Sequence, residues 1–587
     1  MIPLEPENAS KSEITSDSEI ESESLIPIEL PARRGFSVSY RGKTLLSRVD
    51  PVAQGERLVA GLPVKERTLY LCPSPLYGYG LSQLLDKLEP NSAVLCVEAD
   101  EKLFQISQKN LPFPPDPSPT KPLAIALARD PLEICAFVRD TWGKRVFRRV
   151  ELVCLSAGRQ LSPQLYEDIE AALRRELAIE WGNAMTLIRL GRLYARNLVR
   201  NLALLGESES LDALDYSSRP ALVLGAGPSL DSFLAEAGTL LGGLSDALLA
   251  DGERRFRIVC VDTCLPALLD REILPDLVVV LESQHWNLAD FRGAAGRKID
   301  AAFDLSALPA STRVLAGKRY FFATPWTELA LFARLAAEGL LPETFAPMGS
   351  VGLSAVAVAL AATAGPVLTA GIDFSYTLDA YHGRSTPGRR NLEMRQGRFR
   401  TLINAAAALR EGTFTTLSKS GEAVRSDPAM RNYRDLFEAE FGGKARLFDI
   451  DGQGLPLGIK TVSTAEACAI LKNGDTLLTG NAAAARGEAP IRTTPPHGPL
   501  RDKLRDFMRR ETASLVELKE TLSGGVPPNA ARLEELLDDA DYLWAHFPEC
   551  AGTGRRPPST DLSFLKRVRT EIEPFLALWE KSLEVTV

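Results

Sequence analysis

Three strand–loop–helix junctions carry the residue types from which a phosphate- and sugar-handling site can be built. The first is ALVLGAGPSLDSFL, residues 221–234. An apolar run enters Gly225-x-Gly227-Pro228-Ser229 and leaves as a helix. Glycines let the backbone approach a ligand closely, and Pro228 suits a first helical turn, where its missing N–H costs nothing. The helix start offers free N–H groups and a positive dipole end to a phosphate, and Ser229 adds a hydroxyl donor. No Gly-Lys-Ser/Thr follows, so this is not a P-loop, and it is not a full dinucleotide fingerprint. On these residues alone, an ordinary tight strand–helix turn reads as well as a phosphate site.

The second junction is IVCVDTCLPALLDREILPDLVVVLES, residues 258–283. One apolar strand ends in Asp262-Thr263 and a second in Glu282-Ser283. Polar residues at the carboxyl ends of parallel strands lie where open α/β sheets bind ligands, so Asp262 and Thr263 are placed to meet a ribose or a base. Such carboxylates also cap the helices that follow them. In the third, residues 348–376, Gly349-Ser350 opens an Ala-rich helix and a strand then delivers Gly371-Ile372-Asp373-Phe374-Ser375-Tyr376. The hydroxyls of Ser375 and Tyr376 suit a leaving phosphate. His382 follows in the polar loop YHGRS, where an exposed imidazole titrates near neutral pH. A lone loop histidine is more often structural than catalytic.

The elements around these residues predict their placement. Strands over 221–224, 257–261, 277–281, 320–323 and 367–369, separated by helical or mixed segments, predict a Rossmann-like, mostly parallel sheet covered on both faces. Upstream, 67–73, 76–88 and 93–100 read as a βαβ unit with Gly78-x-Gly80 after its first strand and Glu98 near the end of its second. The third glycine of a dinucleotide site is absent, which favours a structural role. Residues 162–205 are helical, with Leu165, Ile169, Leu173, Leu177 and Trp181 at a spacing of four. Three amphipathic helices follow residue 500 and suit a bundle. The expected division is an acidic disordered tail (1–30), an N-terminal α/β domain (31–160), a helical connector (161–219), a central catalytic domain (220–480), and a linker with a C-terminal helical domain (481–587).

Composition excludes several classes. A net charge of -8 without a basic stripe argues against nucleic acid as partner. The eight cysteines are scattered, with no Cys-x-x-Cys, and the four histidines are far apart; a reducing compartment and no local metal site are the expectation. Residues 5–24 lack the apolar core of a signal peptide. The apolar run 351–372 is split by Gly365-Pro366, so a buried helix and strand are expected there and no membrane span.

Taken in order, Gly-Ala-Gly-Pro-Ser-Leu-Asp, Pro-Asp before an apolar strand, Gly-Ser-Val before an Ala-rich helix, and Gly-Ile-Asp-Phe-Ser-Tyr with a following histidine resemble the motility accessory factor (Maf) family. DPVAQGERL (50–58), the Gly78-x-Gly80 unit and the Arg196-Asn197/Arg200-Asn201 region extend the resemblance over most of 35–587. Many relatives have Gly-Gln-Asp where this chain has Gly371-Ile372-Asp373. The resemblance implies a cytoplasmic glycosyltransferase with a sialyltransferase-like central domain. It would move a nonulosonic acid from a CMP-activated donor to Ser or Thr of flagellin or another surface protein. Gly225, Gly227, Pro228 and Ser229 would hold the nucleotide phosphate, with Asp262, Thr263, Glu282, Ser283, Gly349 and Ser350 completing the donor site. Ser375 and Tyr376 would stabilise the departing CMP, Asp373 would belong to the same catalytic group and His382 would be the general base, with no metal and no resident cofactor. A related archaeal family pyrophosphorylates a hydroxymethylpterin on the same fold, and a non-catalytic flagellin-binding factor is a third reading.

Overall fold

The computed structural model describes residues 26–111, 121–143, 146–242, 253–378, 380–402, 410–473, 497–524 and 529–585. Most of the expected acidic tail and most of the expected linker at 480–500 lie outside the described residues. The chain forms two compact units, residues 1–189 with 547–556, and residues 190–546 with 557–587.

In the first unit, strand β1 (Ile28–Pro31) pairs antiparallel with β2 (Phe36–Tyr40), which pairs with β3 (Lys43–Thr44). Strand β1 therefore lies mostly inside the stretch expected as tail. A parallel sheet of order β6-β5-β4-β7 follows, from β4 (Thr68–Pro73), β5 (Ala93–Glu98), β6 (Leu123–Leu127) and β7 (Arg149–Leu152). Strands β4 and β5 are buried at every residue, as continuous apolar strands covered on both faces must be. Gly78 and Gly80 adopt φ of +57° and +94°. A Cβ on Gly80 would lie 2.6 Å from the Gly55 carbonyl oxygen, and one on Gly55 would lie 2.0 Å from that of Tyr79. The glycines thus serve the packing of this turn against the Pro51–Ala60 helix.

The second unit is built on a nine-stranded sheet of order β18-β17-β14-β9-β10-β11-β12-β13-β8. Its strands are β8 (Glu209–Ser210), β9 (Ala221–Leu224), β10 (Arg257–Val261), β11 (Leu277–Val280), β12 (Asp300–Asp304), β13 (Arg319–Phe322), β14 (Val367–Ala370), β17 (Leu447–Ile450) and β18 (Lys460–Val462). Every pairing in it is parallel. A separate antiparallel hairpin joins β15 (Phe414–Leu417) to β16 (Ala423–Ser426). The five strands expected from sequence are present. The four others in this sheet have two to five residues, and β12 carries aspartate at both ends, too little signal for a period to show.

The topology locates the site. From β9 the chain runs outward through β10 to β13, then returns to lay β14 on the other side of β9. The loops after β9 and β14 therefore diverge at a topological switch point, where open α/β sheets form a crevice. The intervening Val351–Ala362 helix buries nine of its residues, so its apolar run belongs to a globular core. Among the described residues no helix is long and apolar enough to cross a membrane.

The Pro163–Leu205 helix begins in the first unit and ends in the second. Its Asn197 amide donates to the carbonyls of Ser283 and Ser306 at 3.0 Å, and that of Asn201 to those of Leu305 and Ala307 at 2.9 Å. These side chains fix the backbone beyond β11 and β12. The expected C-terminal helices are His497–Leu522, Ala530–Asp539 and Leu562–Val585. They share the unit with the large sheet. Arg334 on the Ala330–Ala337 helix forks onto both oxygens of Glu511 at 3.0 Å, and Asp541 accepts the Ala330 N–H at 2.6 Å.

Candidate functional site

A cavity of about 430 Å³ opens at the switch point. Gly225 and Gly227 reach it from β9, Asp262 and Thr263 from β10, Glu282 and Ser283 from β11, and Asp373, Ser375 and Tyr376 from β14. Gly349 and Ser350 enter from the Val351–Ala362 helix and His382 from the following loop. Twelve of the fourteen residues singled out in the sequence thus meet in one place.

Pro228 and Ser229 do not line it, and the reason is Asp373. The Asp373 carboxylate accepts the Ser229 N–H at 2.7 Å and the Ser229 hydroxyl at 2.5 Å. Both groups of Ser229 expected to hold a phosphate are occupied by an internal carboxyl group that caps the Ser229–Leu241 helix. The glycines allow this closure: a Cβ on Gly227 would sit 2.4 Å from Asp373 Oδ2, and one on Gly225 would sit 2.3 Å from the Gly371 carbonyl oxygen. The Gly227 N–H donates to that same carbonyl at 2.8 Å. These glycines fit two loops together. Burial raises the Asp373 pKa, while Lys419 and the Ser229 hydrogen bonds oppose the rise. Lys419 itself is paired at 2.7 Å with Asp449, behind the cavity.

The Val351–Ala362 helix presents the opposite case. The Ser350 side chain makes no capping bond, and the Val351, Gly352 and Leu353 amides have no acceptor among the described residues. Ser350, Val351 and Gly352 face the cavity. An uncapped helix start over an open crevice is an anion site. Of the two helix starts at the crevice, the one at Ser229 is filled from within and the one at Val351 is open.

The hydroxyls redistribute in the same way. Ser375 donates to the Gln453 carbonyl at 3.0 Å and Tyr376 to Asp427 at 3.1 Å, so neither is left to donate to a leaving phosphate in this arrangement. Tyr194, Tyr381 and Tyr433 also line the cavity, and their hydroxyls have no partner among the described residues. Sequence reasoning missed all three, together with Asp290 and Met430. Tyr381 stands beside His382, but nothing local marks Tyr194 or Tyr433, each lying on a long helix.

His382 is not the exposed, near-neutral base expected from its loop. Its ring is half-buried, lies 4.7 Å edge-on to Tyr381, and has no carboxylate partner; burial pushes its pKa down to about 4. It is a neutral imidazole at neutral pH. On the opposite wall, Asp262 accepts from the Thr263 N–H at 2.8 Å and from Asn287 at 2.6 Å, and burial raises its pKa to about 6. Burial and the Asp262 charge raise that of Asp290 to about 7. No lysine or arginine is among the described residues lining the cavity, although Arg410 lies close enough to lower the pKa of Tyr376 and Tyr381 against the larger effect of burial. Among the described residues no group of three His, Cys, Asp or Glu is arranged to hold a metal ion.

The sheet, with a cavity at the carboxyl edge of its strands and a helical region beyond it, is a Rossmann-like parallel α/β fold. A solved structure described as a Maf glycosyltransferase from Magnetospirillum magneticum AMB-1 has the same fold: TM-score 0.52, 15% identity, 97% of this chain and 93% of that one covered. The likeness drawn from the motifs thus extends over the whole architecture. The family model described as 6-hydroxymethylpterin diphosphokinase MptE-like matches residues 194–379. An uncharacterized protein of Treponema pallidum (strain Nichols) is 31% identical over 569 residues, covering 94% of this chain and 95% of its own length. The chain belongs to the same family as that protein.

Proposed function

We propose that the chain is a glycosyltransferase that transfers a nonulosonic acid from a CMP-activated donor to a Ser or Thr hydroxyl of flagellin or another surface protein. The observation that carries this reading is the charge of the cavity. Among the described residues its anion-binding feature is the uncapped start of the Val351–Ala362 helix; no described lysine or arginine lines it, and Arg410, close enough to act on Tyr376 and Tyr381, stands outside the lining. A helix start offers roughly half an elementary charge. That matches the single phosphate of a nucleoside monophosphate better than a triphosphate. The carboxylates of Asp262, Glu282 and Asp290 on the far wall suit the hydroxyls of a ribose or sugar, which donate hydrogen bonds to them.

In the proposed reaction the acceptor hydroxyl oxygen attacks the anomeric carbon. The bond from that carbon to the phosphate oxygen breaks, and CMP leaves with the bonding pair. The Val351 and Gly352 amides and the Tyr381 and Tyr433 hydroxyls support the growing phosphate charge. The acceptor proton passes to His382, whose basicity rises when a phosphate anion lies nearby. Asp373, Ser375 and Tyr376 position these groups. The test is calorimetry with CMP, UDP, GDP, NAD and S-adenosylmethionine, followed by transfer assays. Selective binding of CMP supports the reading; preference for any of the other four removes the donor assignment.

The match to the diphosphokinase model over 194–379, the stretch that supplies most of the cavity wall, keeps pyrophosphoryl transfer to a hydroxymethylpterin as the second reading. ATP with 6-hydroxymethylpterin, run beside the sugar donors, separates the two. CMP binding without turnover on any acceptor would leave a binding factor.

A further inference from the structure

A second cavity, of about 540 Å³, opens in the same unit between the Pro163–Leu205 helix, the loop after β12 and the Leu562–Val585 helix. Its charged lining is wholly cationic. Arg196 and Arg200 come from the first helix, Arg313 from the loop and Lys581 from the last helix, and no Asp or Glu is among the described residues lining it. None of these four side chains has an ion-pair partner among the described residues, and the Nε of Arg196 is buried with no hydrogen-bond acceptor. The chain has 76 acidic and 68 basic side chains, so carboxylates are not scarce; they are absent from this lining. The rest of the wall is largely apolar, including Leu204, Leu308, Pro574 and Leu578, with one alanine from each element opening the space.

Arg196 and Arg200 stand four apart on one helix, where like charges repel. Partial burial and the Arg196 charge lower the Arg200 pKa. The repulsion is relieved when an anion lies between them. Among the described residues, the cavity that holds the proposed donor site has the reverse lining, with carboxylates and no lysine or arginine, so the two cavities suit different ligands. A volume of this size is that of a small-molecule site, for which roughly 300–1,000 Å³ is usual, and its cations converge from three elements on one hollow.

We propose that this cavity is a binding site for a small phosphate monoester with an apolar body. The phosphate is met by Arg196, Arg200, Arg313 and Lys581, and the body by the leucine-lined wall. The site does not depend on the glycosyltransferase reading. The probe is 1-naphthyl phosphate, titrated by calorimetry into the full chain beside 1-naphthol and inorganic phosphate. One site is expected, tighter for naphthyl phosphate than for either fragment, weakening with added salt, and not displaced by saturating CMP. The double variant Arg200→Gln/Lys581→Gln should weaken it about tenfold or more, equivalent to at least 1.4 kcal/mol, with an unchanged melting temperature. Arg200→Lys should keep most of the affinity. Three results would overturn the proposal: no binding in the millimolar range, undiminished binding by the folded double variant, or displacement by CMP. Failure of CMP to bind anywhere would remove the donor assignment and leave this site standing.

Discussion

Asp373 caps the first turn of the Ser229–Leu241 helix with both carboxylate oxygens, at 2.7 Å to the Ser229 N–H and 2.5 Å to its hydroxyl. An internal carboxyl group thus occupies the helix start that the sequence marks most strongly for a phosphate. Asp373→Ala leaves those two buried donors unsatisfied and should cost about 2–6 kcal/mol, one to three for each group. Urea unfolding measures it. A loss below about 0.5 kcal/mol would show that the cap is dispensable. Gly227→Val should be destabilising as well, because its Cβ meets this carboxylate.

The uncapped start of the Val351–Ala362 helix gives effects of opposite sign. Ser350→Asp supplies a cap, so stability should rise by about 0.3–1 kcal/mol. The same carboxylate takes the phosphate position, so CMP affinity should fall about tenfold or more. Unchanged affinity by calorimetry would place the phosphate elsewhere.

Tyr381→Phe and Tyr433→Phe remove the unpartnered hydroxyls. Each should lower CMP affinity or transfer about tenfold, the size of a hydrogen bond to a charged group. Ser375→Ala breaks only a bond to the Gln453 carbonyl and should change donor affinity less. The reverse ranking would restore Ser375 as the phosphate contact.

His382→Asn should retain CMP binding and lose about 10²–10⁴ in transfer rate. With its pKa pushed down to about 4, the free enzyme already carries the neutral imidazole from pH 6 to 8. kcat/KM should therefore show no histidine-like rise across that range, and should fall only on acidification toward the depressed pKa. A rise centred near 6.5 that vanishes in His382→Asn would contradict the burial.

Asp290 gives a stability test with a defined sign. Its pKa is raised to about 7, against about 3.9 unfolded, so ionising it at high pH destabilises the fold. Asp290→Asn should stabilise the chain at pH 8, by about 1–2 kcal/mol after allowing for partial solvent contact. That advantage should shrink as pH falls through 7 and be gone near the unfolded pKa. Melting curves across pH check it; the same advantage at pH 4 and 8 would mean that ionisation is not its source.

How much was legible follows from how local each signal is. The strands of the central sheet that carry chemistry are continuous apolar runs ending in glycine or a polar residue, so Ala221–Leu224 and Arg257–Val261 could be placed to the residue. Strand β12, with two alanines and a phenylalanine between aspartates, gave no such run. It forms because its neighbours β11 and β13 offer backbone partners on both sides.

Sequence alone determined which loops meet. Three glycine- or hydroxyl-rich junctions at strand ends, in a chain alternating strand and helix, converge on one edge of a parallel sheet, since parallel pairing leaves every strand's carboxyl end on that edge. Tertiary structure alone decided which polar group is spent inside the protein and which is left for a ligand. Asp373 lies 144 residues from Ser229, and no local pattern foretells that it fills that helix start and leaves the one at Val351 open. Nor could the sequence state the ionisation of His382 and Asp290, because both depend on how much water the folded walls exclude and on which charges come near.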